Sequence, residues 1–231
     1  MKRHPFLWAA ACSALLLAGC VSPSQQLNQL TRAEQRAGWE LLFDGQSLDG
    51  WRSYRKPTVP PHGWIIENGC LKLIQGSRPG DLVTVEQFEN FELVWEWRIS
   101  PGGNNGVKYL VSEKRGAPGP EYQMIDDATQ NSTKHQTAAF YDVLAPAPDK
   151  PLNPPGQWNH SRVVVRGNDV EHWLNGQKVL NYRFGSPELD AAIAQSKFKN
   201  EPTFGKKAPG HIMLTDHTDE VWYRNMKIRR F

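Results

Sequence analysis

Residues 91–99, FELVWEWRI, alternate so regularly that they restrict what this chain can build. Phe91, Leu93, Trp95, Trp97 and Ile99 are apolar, while Glu92, Val94, Glu96 and Arg98 fill the positions between them. A strand sends successive side chains to opposite faces, so one face is a core and the other carries charge. A Gly/Asn turn then leads into a second run, GVKYLVS, which brings in Lys108.

The same period of two continues along the chain. WELLF, WIIENGCLKLI, LVTV, EYQMID, RVVVRG, VEHWLNGQKVLNY and HIMLTDH followed by VWYRNMKIRRF all read as strands. The Asn-Gly pairs in ENG and LNG suit hairpin turns that need positive φ. Strands spaced in this way, without helices between them, predict a sandwich of two antiparallel sheets. Thr31-Arg32-Ala33-Glu34 has capping-box spacing and predicts a short helix, and a second helical piece is expected within residues 186–198. Residues 126–160 contain Pro146, Pro148, Pro151, Pro154 and Pro155. A loop of that length in a compact domain is usually functional, so a rim or lid is expected there.

The first residues read as an address rather than as structure. Lys2 and Arg3 precede an apolar stretch too short to span a bilayer, the pattern of a secretory signal. Leu17-Ala18-Gly19-Cys20 resembles a bacterial lipobox, which implies that Cys20 becomes the lipid-bearing first residue after cleavage. No aspartate follows the cysteine, so the expected location is the cell envelope, at the outer membrane facing the periplasm or the cell surface. The expected organisation is a signal peptide over 1–19, a lipidated tether with the short helix over 20–38, and one domain over 39–231. Loss of Cys12 and acylation of Cys20 would leave Cys70 alone, so no disulfide framework is possible. Cys70 is expected to be a small buried apolar residue. Loss of Lys2 and Arg3 leaves acidic and basic groups nearly balanced, with no basic stripe for nucleic acid.

Four segments in order, FELVWEWRISPGGNNGVKYLV, PEYQMIDD, GQWNHSRVVVRGNDVEHWLNGQKV and GHIMLTDHTDEVWYRNMKI, resemble the 3-keto-disaccharide hydrolase family. That family is also described as 3-keto-glycoside 1,2-lyase/3-keto-2-hydroxyglucal hydratase domains. The resemblance runs from Trp39 to Phe231. It implies a concanavalin A-like jelly roll whose polar alternate face lines a concave ligand groove, with Glu96, Arg98 and Lys108 in that groove. It also implies a 3-keto-glycoside or 3-keto-disaccharide as substrate. Many members have LQDHG where this chain has LTDHT, with Thr215 and Thr218, so roles of that glutamine and glycine do not transfer.

In a 3-keto sugar the proton at C2 is α to the carbonyl, and the glycosidic oxygen at C1 is β to it. Elimination followed by hydration needs a base, an enolate stabiliser and an acid for the departing oxygen. Glu121 and His217 are the proton-transfer candidates, and Lys108 is the candidate for holding the enolate. Gln123 shares a strand face with Glu121. Asn105, Gln123, Asp126, His172 and Trp173 join Glu96 and Arg98 as substrate-binding candidates, Trp173 because a pyranose can stack its C–H face on an aromatic ring. Trp95 and Trp97 share the Leu93 face and belong to the core.

Laminarinase-like jelly rolls carry E-x-D-x-x-E on one strand. This chain has Glu121-Tyr122-Gln123-Met124-Ile125-Asp126, with an amide in the centre that cannot titrate. An ordinary glycoside hydrolase using Glu121 and Asp126 is therefore weakened but stays open, as does a non-catalytic carbohydrate-binding lipoprotein. His211, Asp216, His217 and Asp219 have no recognised metal spacing, and a divalent metal ion also stays open. No Walker loop, G-x-S-x-G or dinucleotide fingerprint is present. A separate sugar 3-dehydrogenase is therefore expected to supply the ketone.

Overall fold

The computed structural model describes Met1 and residues 27–231, so the signal and lipobox readings lie outside the described residues. Among the described residues thirteen strands follow a short helix: β1 (Trp39–Leu41), β2 (Trp51–Ser53), β3 (Trp64–Glu67), β4 (Cys70–Leu73), β5 (Leu82–Thr84), β6 (Phe91–Ile99), β7 (Asn104–Val111), β8 (Glu121–Ile125), β9 (Asn159–Arg166), β10 (Asp169–Leu174), β11 (Gln177–Arg183), β12 (His211–Leu214) and β13 (Val221–Arg230). Helix α1 (Arg32–Arg36) opens the domain, and α2 (Pro187–Ala194) lies between β11 and β12. An eight-stranded sheet runs β11-β10-β9-β6-β13-β4-β3, with β1 also paired to β13, and a five-stranded sheet runs β2-β5-β12-β7-β8. Every pairing is antiparallel, giving a jelly-roll sandwich.

The alternation read from β6 holds. Phe91, Leu93, Trp95, Trp97 and Ile99 are buried against the five-stranded sheet, where Trp95 donates its indole N–H to the Met124 sulfur. The β3–β4 and β10–β11 hairpins turn on Asn68-Gly69 and Asn175-Gly176, all four at positive φ. Thr31 caps α1 through the expected box: Glu34 N–H donates to Thr31 Oγ1, and Thr31 N–H donates to Glu34 Oε2. Glu34 also meets the buried Lys227 of β13 at 2.7 Å, which seats the helix on the eight-stranded sheet. Cys70 is buried and free.

One expectation about the polar faces is corrected. β6 and β7 follow each other in sequence but belong to opposite sheets, so the outward face of β6 and that of β7 look in opposite directions. Alternation tells which residues of a strand point inward; it does not tell which sheet the strand joins. Glu96 and Arg98 therefore do not share a surface with Lys108. They form a cross-strand ladder on the eight-stranded sheet instead. Glu96 accepts from Arg224 at 2.7 Å and Asn225 at 2.8 Å, and Arg98 lies over the rings of Trp222 and Trp158 at 4.3 and 5.2 Å.

Candidate active site

Tyr122 and Met124 of β8 point into the core, Tyr122 accepting a hydrogen bond from Ser161 at 2.9 Å. Strand geometry then sends Glu121 and Gln123 to the outer face of the five-stranded sheet. Lys108 is the direct cross-strand partner of Glu121, and its ammonium lies 3.6 Å from Oε2. His217, just beyond β12, places Nε2 3.8 Å from Oε1. Glu121 is only 6% exposed, a degree of burial that a carboxylate tolerates when opposite charge surrounds it. Burial pushes its pKa up, but Lys108 foremost, with His217 and Lys197 nearby, outweighs that and holds it below the ordinary glutamate value.

The loop that carries His217 is pinned on several sides. Thr215 donates through its backbone N–H and its hydroxyl to the Gly106 carbonyl, at 3.1 and 3.2 Å. Asp216 N–H donates to Asp81 Oδ1, while Asp216 itself accepts from Gly80 N–H and Thr218 N–H. Asp219 accepts from Asn104 N–H. Burial raises the pKa of Asp81 above the aspartate range, while Asp216 N–H, Lys108 and His217 pull the other way.

The long segment after β8 supplies the far wall. Its residues 138–141 run beside β8: Ala138 N–H donates to Gln123 O, Gln123 N–H to Ala139 O, and Tyr141 N–H to Glu121 O. Tyr141 is thereby brought next to Glu121. One neighbour of its ring is His135, with centroids 5.0 Å apart, itself fixed by Asp142 at 2.6 Å. Another is Lys197, whose ammonium lies 4.1 Å from the ring centre and whose backbone N–H donates to Asp142. Burial, Glu121 and Asp142 raise the Tyr141 pKa, against the opposing charge of Lys108. Part of the segment over 126–160 thus lies beside Glu121, with Tyr141 supplied by irregular backbone.

The sequence-derived candidates separate accordingly. Glu121, Lys108, His217 and Gln123 come together, with Gln123 donating to Asn104 Oδ1 at 3.1 Å. Asp126 is withdrawn from them: its Oδ1 accepts from Ala128 N–H and its Oδ2 from Gly102 N–H, capping a 3-10 turn and the β6–β7 connection. Asn105 points into the core and accepts from Tyr223 at 2.6 Å; the outward neighbour is Asn104. His172 is fully buried between Tyr109 and the Ala138 carbonyl, at 2.7 and 2.9 Å, a core histidine rather than a substrate contact. Trp173 lies on the eight-stranded sheet under Arg162, 4.0 Å from its ring centre, away from Glu121. Among the described residues no group of three or more His, Cys, Asp or Glu side chains is arranged to hold a metal ion. Sequence reasoning missed Tyr141, Lys197, Asn104 and Asp81.

Comparison with known proteins agrees with this architecture. The profile of the 3-keto-alpha-glucoside-1,2-lyase-like domain family matches residues 38–229. A 3-keto-disaccharide hydrolase of Bacteroides thetaiotaomicron is 32% identical over 228 residues, covering 83% of this chain and 78% of the relative. A crystal structure of a candidate glycosyl hydrolase from Parabacteroides distasonis ATCC 8503 is 34% identical with a TM-score of 0.80, covering 89% of this chain and all of that one. The carbohydrate-binding module CBM66 of Bacillus subtilis shares the fold at 11% identity and a TM-score of 0.50, covering 78% of this chain and 95% of the module.

Proposed function

The chain belongs to the 3-keto-alpha-glucoside-1,2-lyase-like family and is a carbohydrate-active enzyme of glycoside hydrolase type; from that premise we propose that it cleaves 3-keto-glycosides by elimination and hydration. The observation that carries this reading is Glu121, one buried carboxylate held ionised by Lys108 and His217, with Asp126 engaged elsewhere. A retaining glycosidase needs two carboxyl groups about 5–5.5 Å apart, and Asp126 is not free to be the second. An ionised carboxylate beside the Lys108 ammonium suits proton abstraction next to a ketone.

In this reading Glu121 takes the C2 proton, and the C–H electrons pass into an enolate whose oxygen, at C3, is held by Lys108 and His217. The low basicity of Glu121 is offset because Lys108, the group that depresses its pKa most, also stabilises the charge it creates. The enolate re-forms the ketone, and the C1–O bond breaks with its electrons going to the departing oxygen. Water then adds at C1 while the proton returns to C2, so the net result is hydrolysis. Gln123 and Asn104 are placed to meet sugar hydroxyls. The substrate would come from a separate sugar 3-dehydrogenase. Purified protein is given a 3-keto-disaccharide and its unoxidised parent, in heavy water. Turnover of the keto sugar alone, with exchange at C2, is the expected result. Equal cleavage of the parent without exchange would point to an ordinary glycosidase, and binding without turnover to a lectin.

The lipobox-like Leu17–Cys20 supports a second part of the proposal, a lipid anchor in the cell envelope, at the outer membrane. Cys20→Ser should leave the precursor unprocessed and unlipidated. Mass spectrometry of an unacylated mature start in the wild type would sink the anchor.

A further inference from the structure

We infer that the Tyr141 hydroxyl is the proton donor to the departing glycosidic oxygen, an assignment that rests on the elimination reading above. Three observations lead to it. Tyr141 N–H donates to the Glu121 carbonyl at 3.1 Å, so the two residues sit side by side at the same face. The Tyr141 ring is flanked by the His135 imidazole and the Lys197 ammonium, which leaves its hydroxyl edge rather than a free ring face to meet a sugar. Finally, the hydroxyls of Tyr109, Tyr122, Tyr182 and Tyr223 are engaged in hydrogen bonds, and Tyr54 packs against Val83, Val111 and Met213 rather than beside Glu121. Tyr141 is half-buried, and among the described residues its hydroxyl makes no hydrogen bond; Glu121, Asp142 and Lys108 reach it only through their charges. A half-exposed hydroxyl beside the base, without a protein partner, is placed to meet the substrate.

His217 is less suited to this step because its Nε2 already faces the Glu121 carboxylate, so a proton held there lies next to the base. The charge on Glu121 opposes ionisation of Tyr141 in the resting enzyme. When Glu121 takes the C2 proton that charge passes to the substrate, and at C1–O cleavage it reaches the departing oxygen that Tyr141 protonates. As the C1–O bond breaks, the O–H bond of Tyr141 breaks and its proton goes to the departing oxygen, leaving a phenolate beside Lys197 and Lys108. In the hydration half the phenolate takes a proton from water, the resulting hydroxide oxygen bonds to C1, and Glu121 returns its proton to C2. Both residues end as they began.

The test uses the full chain carrying Tyr141→Phe, which removes one unbonded hydroxyl and should leave the melting temperature unchanged. Turnover of a 3-keto-disaccharide should fall roughly 100- to 10,000-fold, the usual cost of losing a positioned acid. With a 4-nitrophenyl 3-keto-glucoside, whose leaving group needs little protonation, the loss should shrink at least about tenfold relative to that. Exchange of the C2 proton with heavy water should persist in Tyr141→Phe and vanish in Glu121→Gln. Equal losses on both substrates, or loss of exchange in Tyr141→Phe, would overturn the assignment. Absence of turnover and exchange in the wild type would instead remove the elimination reading on which it rests.

Discussion

Gly106 lies directly against the carboxylate of Glu121: a Cβ built on Gly106 would approach Oε1 more closely than real Cβ atoms do. The two residues sit on adjacent strands, and the missing side chain lets Glu121 lie across β7 toward His217. Gly106 is not at positive φ, so alanine suits its backbone, and the atoms displaced belong to the end of a flexible side chain. Gly106→Ala should therefore fold normally while moving the carboxylate. A misplacement of about 1 Å can cost roughly 100-fold in rate, and a loss of that order in kcat is expected with an unchanged melting temperature. Normal kcat in a folded Gly106→Ala protein would mean that the observed carboxylate position is not required.

Lys108 sets where activity fails in acid. Burial raises the Glu121 pKa, and Lys108 is the foremost of the groups that bring it down. A base with a lowered pKa stays ionised in mildly acidic solution and is lost only as pH falls through its folded value. Lys108→Met removes that counter-charge, so the acid limb of kcat/KM should move to higher pH while the rate at the plateau falls. The pH profile of the free enzyme reads this directly. An acid limb that stays in place would separate the limb from Glu121.

Much of this was legible because alternation is a local property. The inward residues of β6, the pairing of Glu121 with Gln123 on one face, both Asn-Gly hairpins and the Thr31 capping box all follow from spacing alone. Sheet membership is not local, and so Glu96 and Arg98 were placed on the wrong side of the sandwich. Strand β2, Trp51–Ser53, sits between Asp49-Gly50 and Tyr54-Arg55-Lys56, so no apolar run marks it as β1 and β5 are marked. Asn104 and Asn105 are neighbours, and a one-residue difference in phase exchanges their faces. Tyr141 reaches the site from irregular backbone between β8 and β9, and Lys197 from the turn just after α2, so no strand alternation points to either.

The ladder on the eight-stranded sheet should be dispensable for catalysis. Glu96 meets Arg224 and Asn225 near the surface, and such partly exposed pairs contribute about 0–1 kcal/mol. Glu96→Gln and Trp173→Ala should therefore keep turnover within about twofold of wild type, a range far below the loss of an acid or base. A large loss of kcat in Glu96→Gln would place the ladder in the substrate path and restore a single polar groove.

His172 should make the fold pH-sensitive. The Ala138 carbonyl can only accept, so Nδ1 carries the proton, and Nε2 then accepts from the Tyr109 hydroxyl. Burial lowers the His172 pKa to about 4, against the bond to Ala138. The unfolded chain, with a histidine near its ordinary value of 6.5, binds the proton first as pH falls. Stability from this group is thus complete above the unfolded value and declines between the two pKa values. A shift of this size corresponds to about 3 kcal/mol at the acid end. Ala138 also holds the segment that carries Tyr141, so acid should loosen that wall as well. Urea unfolding of wild type and His172→Phe between pH 7 and pH 4 isolates the contribution, since the other titrating groups are shared. The variant should be less stable at pH 7 but should lose less as pH falls. Equal slopes would mean that His172 is not held neutral in the folded protein.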